Sequence, residues 1–417
     1  MRVVIVNKSD ARGGAAVVSR RLMAALRANG VDASMLVVEK LTDDPSVHLA
    51  APSWRSRIPF LRERLDIYLR NGRDRADLFK VDTAVTGLPL SGHPLVRDAD
   101  VVCLGWVNQG MLSLREIGRI AACKPLVWIM HDLWCATGIC HHPGYCDRFL
   151  SDCGLCPLLH GHPRPDDLSR RVQSRKRALY ASSHITFVAV SHWLAGRCRE
   201  SSLMRAADVR VIGNPFPLPS ALPPRNDNGD QINMLMAAAR LDDPVKGLPV
   251  LAEALHLLGA SHPSLVSRMR LTAVGDIRDT AVLDDCPVPV ELPGAVPQER
   301  MPGFYAGAQL LLSPSHFETL PGTLVEAQVY GALPVAFDSG GQRDIVEDGV
   351  TGVLADPAQG ERPRLYADAI VRAAGMLGNA GLRQSMRRSV EERFAADGIA
   401  RRYIDLFDEL TQARRRP

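Results

Sequence analysis

No stretch of about 18 uninterrupted apolar residues occurs in this chain of 417 residues, so no membrane-spanning helix is expected. An excess of charge of one sign is also missing. Lys+Arg total 50 against Asp+Glu 46, and a net of +4 over so large a surface gives no drive toward nucleic acid. The apolar run at 2–7 is too short for a signal peptide and residues 8–12 are polar, which points to the cytoplasm. Cysteine is sparse and odd in number: nine, without an export signal, read as thiols or metal ligands and not as a disulfide framework. There is no repeat of solenoid period. Gly13-Gly14 lacks the G-x-G-x-x-G spacing that a dinucleotide dehydrogenase requires. What is left is an ordinary globular composition, 46% hydrophobic and 23% charged, with length for roughly two to three domains.

Continuous apolar runs at 2–7, 33–38, 101–104, 126–130, 185–190 and 209–212 predict buried parallel strands. Helical spacing over 15–29, stopped by Gly30, makes the start of the chain a βαβ crossover. Five prolines in 215–224 and the polar run 225–230 mark a linker. Beyond it the alternation restarts, with strands at 233–238, 269–274, 309–313 and 333–337 and helices at 248–258 and 322–330. Residues 361–415 are helical by pattern. The expected architecture is α/β: two Rossmann-like doubly wound parallel-sheet domains facing across a cleft, with ligands at the carboxyl ends of the strands. The expected division is 1–213, 214–395, and a C-terminal helix 396–417 packing back on the first domain.

Residues 55–75 carry seven arginines interleaved with Ile58, Leu61, Leu65, Ile67, Tyr68 and Leu69. A membrane-surface helix and a solvated helix packing on its own domain both fit, with Pro59 interrupting the pattern.

The richest segment is 313–331. A strand ends, a loop carries Glu318, and a helix opens near Gly322, Thr323 and Leu324, with Glu326 one turn in. A helix amino terminus offers unpaired N–H groups and a positive dipole end, which suit phosphate. A carboxylate one turn in can accept two sugar hydroxyls, as in ribose binding. Upstream, Arg240 and Lys246 flank a proline-containing turn before a helix, and an Arg fork plus a Lys charge could neutralise a diphosphate without a metal. Two solvated surface charges are the plain alternative.

Together these segments resemble the family 4 retaining glycosyltransferases, which have the two-domain GT-B architecture. The resemblance implies that Arg240 and Lys246 bind the nucleotide diphosphate, that Glu318 lies near the donor sugar and that Glu326 binds the ribose, the two Glu forming an E-x7-E pair. Residues 334–341 and 349–352 match later family segments. Gly13-Gly14 opens the first helix as the donor-phosphate loop does in the family. His131, followed by Asp132, stands after the strand 126–130, where the family implies a role near donor sugar and acceptor. Asn214 within Gly213-Asn214-Pro215 and the stretch 191–194 are secondary candidates. Two departures stand out: Gly105 precedes Trp106 where relatives often carry a His, and Asp344 stands near a position usually occupied by Glu.

The Cys-rich loop 135–158 narrows the likeness to the colanic-acid-type branch of bacterial exopolysaccharide enzymes. Cys140, Cys146, Cys153 and Cys156, the last two in C-x2-C spacing, form a candidate tetrahedral structural zinc site. His141 and His142 are substitute ligands, and free thiols or one disulfide are the alternatives.

The resulting expectation is a retaining, metal-independent glycosyltransferase. It would use a UDP- or GDP-sugar as donor and a saccharide or lipid-linked saccharide as acceptor, with no nucleic acid partner. The branch implies peripheral contact with the inner face of the plasma membrane, with 55–75 and Arg414-Arg415-Arg416 as anchors. A GT-B-type nucleotide-sugar epimerase and a non-catalytic zinc-stapled scaffold are the rival readings. Oligomeric state, sugar, base, linkage and acceptor are not encoded in motif spacing.

Overall fold

Continuous burial is the pattern of the central strands, as parallel sheets covered on both faces require. The computed structural model describes residues 1–161, 163–224 and 229–415, without the side chain of Arg415. Arg416, named above as an anchor, and residues 225–228 of the expected linker lie outside the described residues. The chain divides into two compact units, 1–215 with 396–417, and 216–395.

Unit 1 runs β1 (Arg2–Ser9), α1 (Gly14–Ala28), β2 (Asp32–Glu39), β3 (Val47–Leu49), α2 (Ser53–Arg70), α3 (Pro94–Asp98), β4 (Val101–Leu104), α4 (Leu114–Cys123), β5 (Leu126–Met130), α5 (Leu168–Ser182), β6 (Ile185–Ala189), α6 (His192–Glu200) and β7 (Asp208–Val211). Its seven strands lie in the order β3-β2-β1-β4-β5-β6-β7, all parallel. Every residue of β4, β5 and β6 is buried. Helix starts are closed by short polar side chains where the sequence supplies them. Ser113 accepts from Glu116 N, Asp167 from Ser169 N, and Ser191 from Leu194 N.

Unit 2 runs β8 (Ile232–Arg240), α7 (Leu248–Ser261), α8 (Pro263–Val266), β9 (Met269–Asp276), β10 (Val290–Gly294), α9 (Met301–Gly307), β11 (Leu310–Ser313), α10 (Gly322–Tyr330), β12 (Leu333–Phe337), β13 (Val353–Ala355), α11 (Arg362–Met376) and α12 (Leu382–Phe394). The six strands are again parallel, in the order β10-β9-β8-β11-β12-β13. Its core joins Met234, Leu255, Leu312, Val335, Phe337 and Ile370, and the buried Tyr366 donates its hydroxyl to Val335 O at 2.8 Å. Phe216 N donates to Phe394 O at 2.8 Å, so the proline-rich stretch begins as a buried part of this unit.

The last helix, α13 (Ala396–Arg415), returns to unit 1 and packs on α1. Ile399, Tyr403 and Phe407 are buried, and Arg402 donates to Val211 O at 2.6 Å. Arg414, itself exposed, donates to Ala121 O and Ala122 O at the carboxyl end of α4. In α2 the expectation that Pro59 interrupts the segment is corrected: the helix runs unbroken from Ser53 to Arg70, with Pro59 buried.

Both sheets are doubly wound. The strand order reverses between β1 and β4 in unit 1 and between β8 and β11 in unit 2. In such sheets the crevice outside the carboxyl ends of those strands is where ligands bind.

Candidate active site

In unit 2 the two loops that leave the switch point are those after β8 and β11. Arg240 ends β8. Its guanidinium grips Asp242 Oδ1 and Oδ2 at 2.9–3.0 Å, a bidentate pair that aims the fork. Asp243 then caps a single 3-10 turn, accepting from Val245 N at 3.0 Å, and this turn presents Lys246. Gly247 follows with φ 72°, and a Cβ there would stand 2.2 Å from Pro314 O. Glycine is therefore required for both its backbone and its lack of bulk. The β8 loop closes on the β11 loop through His316 N donating to Val245 O at 2.8 Å.

This docking brings Lys246 Nζ within 2.5 Å of Glu318 Oε1. Glu318 is held from the far side by its own backbone. Its carbonyl accepts from Gly341 N at 2.8 Å, and a Cβ on Gly340 would come within 2.1 Å of the same oxygen. A few residues on, α10 opens at Gly322 behind Pro321, with no side-chain cap and no acidic residue in its first turn. Gly322, Thr323 and Leu324 thus present the positive end of a helix dipole beside the Lys246–Glu318 pair. One turn in, Glu326 Oε2 accepts from the hydroxyl of the buried Tyr305 at 2.8 Å, and Tyr305 stacks on Tyr330 with centroids 6.0 Å apart. Sequence reasoning passed over Tyr305; its partner stands 21 residues away and no spacing rule links them. Gln342 is buried, and Arg343 pairs with Asp338, closing the wall formed by 338–344.

In unit 1, Gly13 has φ 89° and leads into α1 without a side-chain cap, and a Cβ on Gly13 or Gly14 would meet nothing within 4 Å. That turn is open to a ligand. At the neighbouring β4 end, Trp106 N donates to Asn7 Oδ1 at 2.6 Å, and a Cβ at Gly105 would also lie 2.6 Å from that atom. The buried Asn7 amide leaves little room for a side chain at position 105.

His131 and Asp132 follow β5. Burial pushes the His131 imidazole down to about 4, against the Asp132 charge, so the ring is neutral at pH 7. Asp132 accepts from Trp106 Nε1 at 3.1 Å, Trp134 N at 2.8 Å and His141 Nδ1 at 2.7 Å. The other His141 nitrogen lies 2.6 Å from Asp82 Oδ2. Asp82 is paired with Arg64, which also salt-bridges Glu63 at 3.4 Å, and Glu63 accepts from Thr83 N and Ala84 N. Burial disfavours a charge on His141, but Asp132 and Asp82 overcome it and hold the group up at about 10. His141 is therefore an imidazolium strut between the buried Asp82 and the partly buried Asp132, and is not a substitute metal ligand. Asn214 lies just past β7, half-buried, at the end of the first segment of unit 1.

Cys140, Cys146, Cys153 and Cys156 line one small cavity of about 20 Å³ with Pro143 and Phe149. Every cysteine is a free thiol, so the disulfide alternative does not apply. Burial pushes the Cys140 and Cys156 thiols up to about 12. Among the described residues no group of three or more His, Cys, Asp or Glu side chains could hold a metal ion, so the zinc expectation finds no support. The loop is fastened by protein groups instead. Cys153 N donates to Gln173 Oε1 and Cys156 N to Asp167 Oδ2, both at 2.8 Å. The buried Lys176 donates to Trp134 O and Thr137 O and sits 3.3 Å above the Trp134 ring.

Two doubly wound parallel-sheet units of this kind define the GT-B fold class. Residues 232–375, most of unit 2, match the family model described as glycosyl transferases group 1. Glycogen synthase of Pseudomonas syringae pv. syringae is 36% identical over 107 residues, 25% of this chain and 21% of that protein. The chain thus aligns with about a fifth of the length of the curated relatives it matches. The sucrose-phosphate synthase of Thermosynechococcus elongatus superposes with a TM-score of 0.67 at 15% identity, covering 99% of this chain and 100% of that one. The Anabaena protein HepE, solved in complex with UDP-glucose, gives 0.59 at 16%, covering 98% and 100%. At such identities the likeness is one of fold.

Proposed function

We propose that this protein is a glycosyltransferase that moves a sugar from a nucleotide-sugar donor to a hydroxyl of a saccharide or lipid-linked saccharide acceptor. The observation that carries the reading is the Lys246–Glu318 pair beside the open start of α10, at the switch point of the unit whose sequence matches the glycosyl transferases group 1 model. Breaking the bond between the anomeric carbon and the diphosphate leaves negative charge on the leaving group as an oxocarbenium-like centre develops. Lys246, Arg240 and the start of α10 meet that charge electrostatically, through the N–H groups of Gly322 and Thr323 and the helix dipole, the Leu324 N–H already donating to Pro321 O at 3.2 Å. Lys246 exchanges Glu318 for phosphate, and Glu318 is released toward the sugar. Glu326, oriented by Tyr305, accepts ribose hydroxyls. This set supplies positive charge from the protein, and we assign no catalytic metal. His131 and the Gly13-Gly14 turn keep the roles that the resemblance gives them. Retention of anomeric configuration belongs to the same reading, as does service in exopolysaccharide synthesis. HepE binds UDP-glucose, which makes UDP-sugars the first donors to try.

The test is a hydrolysis screen with UDP- and GDP-sugars, which needs no acceptor, together with calorimetric titration of UDP and GDP. Turnover that collapses in Lys246→Ala supports the reading. Failure to bind either nucleotide favours a scaffold, and an isomerised nucleotide sugar as the product favours an epimerase.

A further inference from the structure

A cavity of about 1130 Å³ opens in unit 1 at the edge of the sheet opposite the crevice. Its floor is formed by Leu126, Ile185 and Thr186, at the amino ends of β5 and β6, whereas His131 follows the last residue of β5. Five strand steps separate Leu126 from His131, roughly 16 Å, so a ligand in this cavity is not a substrate at the crevice. α4 and α5 make its side walls and the end of α13 closes it, all within unit 1. The space exists because the facing helix surfaces carry little bulk: Gly118, Ala121 and Ala122 on α4, Ala178 and Ser182 on α5, and Ala413 on α13. The two walls touch where a Cβ on Gly118 would lie 3.0 Å from the Leu179 side chain.

Charge decides what fits there. Four arginines line the cavity, Arg115, Arg119, Arg175 and Arg414, against a single acid, Asp208. Asp208 is taken up by Arg210 at 2.6 Å and by the Thr186 hydroxyl at 3.1 Å. Arg119 holds the buried Glu116 at 3.1 Å, and Arg414 donates to Ala121 O and Ala122 O. Arg115 and Arg175 are left over, both exposed and, among the described residues, without an ion-pair partner. Their placement is unfavourable in the empty protein. Arg115 stands in the first turn of α4, at the positive end of its dipole, with the like charge of Arg119 one turn on and Arg175 on the facing wall. An anion between the two free guanidinium groups removes that cost, and their planar forks suit an oxyanion head. Below them the lining is apolar, with Leu114, Leu179 and Leu410 beside Leu126 and Ile185. An apolar pocket with a few convergent polar groups is the usual form of a small-molecule site.

We propose that this cavity binds an amphiphilic organic anion, its carboxylate or phosphate head held by Arg115 and Arg175 and its aliphatic or aryl body lying on Leu114, Leu126, Leu179 and Ile185. Arg175 precedes Lys176, whose buried ammonium fastens the carbonyls of Trp134 and Thr137, so the site and the loop after His131 share α5. The inference concerns unit 1 and does not depend on the glycosyl-transfer reading.

The experiment titrates the full chain with anilinonaphthalene sulfonate, a fluorescent anion with an aryl body, and then displaces it. Decanoate below its micellar range releases bound probe, whereas decyltrimethylammonium, of the same chain length and opposite charge, does not. Arg115→Gln/Arg175→Gln weakens this decanoate-sensitive binding by at least about tenfold, the loss of two charge-assisted hydrogen bonds. The same variant keeps or raises the thermal midpoint of the ligand-free chain, because the bare guanidinium groups repel. Ala178→Trp fills the cavity from an exposed position and abolishes the decanoate-sensitive emission, with a thermal melt to confirm that it folds. The proposal is overturned if decanoate releases no probe, if decyltrimethylammonium releases it equally well, or if the arginine variant binds as tightly as the wild type. It is also overturned if the chain forms a dimer that Ala178→Trp disperses, which puts a second copy in the cavity. Donor-sugar turnover does not enter any of these readouts.

Discussion

Two buried groups in unit 1 have opposite proton linkages, and removing either one exposes the other. His141 is held charged between Asp132 and Asp82, its pKa raised to about 10. The unfolded chain releases that proton near 6.5, so between these values the folded state binds one proton more, and stability falls as pH rises. Burial lowers Lys176 to about 7, while the unfolded lysine keeps its proton to about 10.4. There the unfolded state binds the extra proton, and stability rises with pH. From about pH 7.5 to 8.5 each linkage approaches one proton, about 1.4 kcal/mol per pH unit, with opposite signs. All five tryptophans (54, 106, 128, 134 and 193) lie in unit 1, so tryptophan emission in urea reports on this unit. The wild type should be nearly flat over that window. His141→Gln should become more stable with rising pH and Lys176→Met less stable, each by just over 1 kcal/mol across the unit. At fixed pH, His141→Gln should also cost about 3 kcal/mol, because the buried Asp82 and the partly buried Asp132 lose a shared cation. Parallel slopes in the two variants, or a His141→Gln cost under about 1 kcal/mol, would refute the strut.

Three further outcomes follow from unit 2. Lys246→Ala and Arg240→Ala should each lower turnover on the order of 10²-fold, the scale of one lost oxyanion donor, in a steady-state assay with the donor identified by the screen. Tyr305→Phe should raise the KM for the donor several-fold with little change in kcat, because it frees the Glu326 carboxylate to reorient; an equal fall in kcat would count against a ribose-binding role. Gly340→Ala forces a Cβ against the Glu318 carbonyl, a backbone atom that must move, so the thermal midpoint should drop by several °C, with loss of activity.

The central strands were readable as apolar runs, because a strand buried on both faces carries few polar residues to break the run. The three strands that escaped, β3, β10 and β13, all lie at sheet edges. β3 and β10 carry His48, Glu291 and Pro293 where a central strand carries Val or Ile, and β13 is an apolar run of only three residues. Edge strands need only one neighbour and one covered face, so the pattern that betrays a core strand is not demanded of them. The long helical tail was legible as helix, with the last segment 396–417 set apart, but the break between α11 and α12 was not, since periodicity does not report where each helix stops.

The candidate site divides along the same line. Lys246, Glu318 and the start of α10 sit in two short stretches, and local spacing was enough to nominate them. What fixes their geometry is long-range and steric: the Gly247 backbone against Pro314, Gly340 against Glu318, and Tyr305 on Glu326. The His141 strut is the sharper case. Read in sequence, a histidine beside four cysteines suggests a metal; in the fold its two nitrogens are spent on carboxylates 9 and 59 residues away. Its consequence is mechanical. Asp132 adjoins His131, so the strut ties the end of β5 to the loop that carries Asp82, and through Arg64 to the packed face of α2. His131, the residue that sequence nominated for chemistry, thus adjoins a chain of charges that runs from Asp132 through His141 and Asp82 to Arg64 on α2. Substitutions that loosen it should disturb both ends together, whereas changes at exposed α2 positions such as Leu61 and Leu65 should leave His131 untouched.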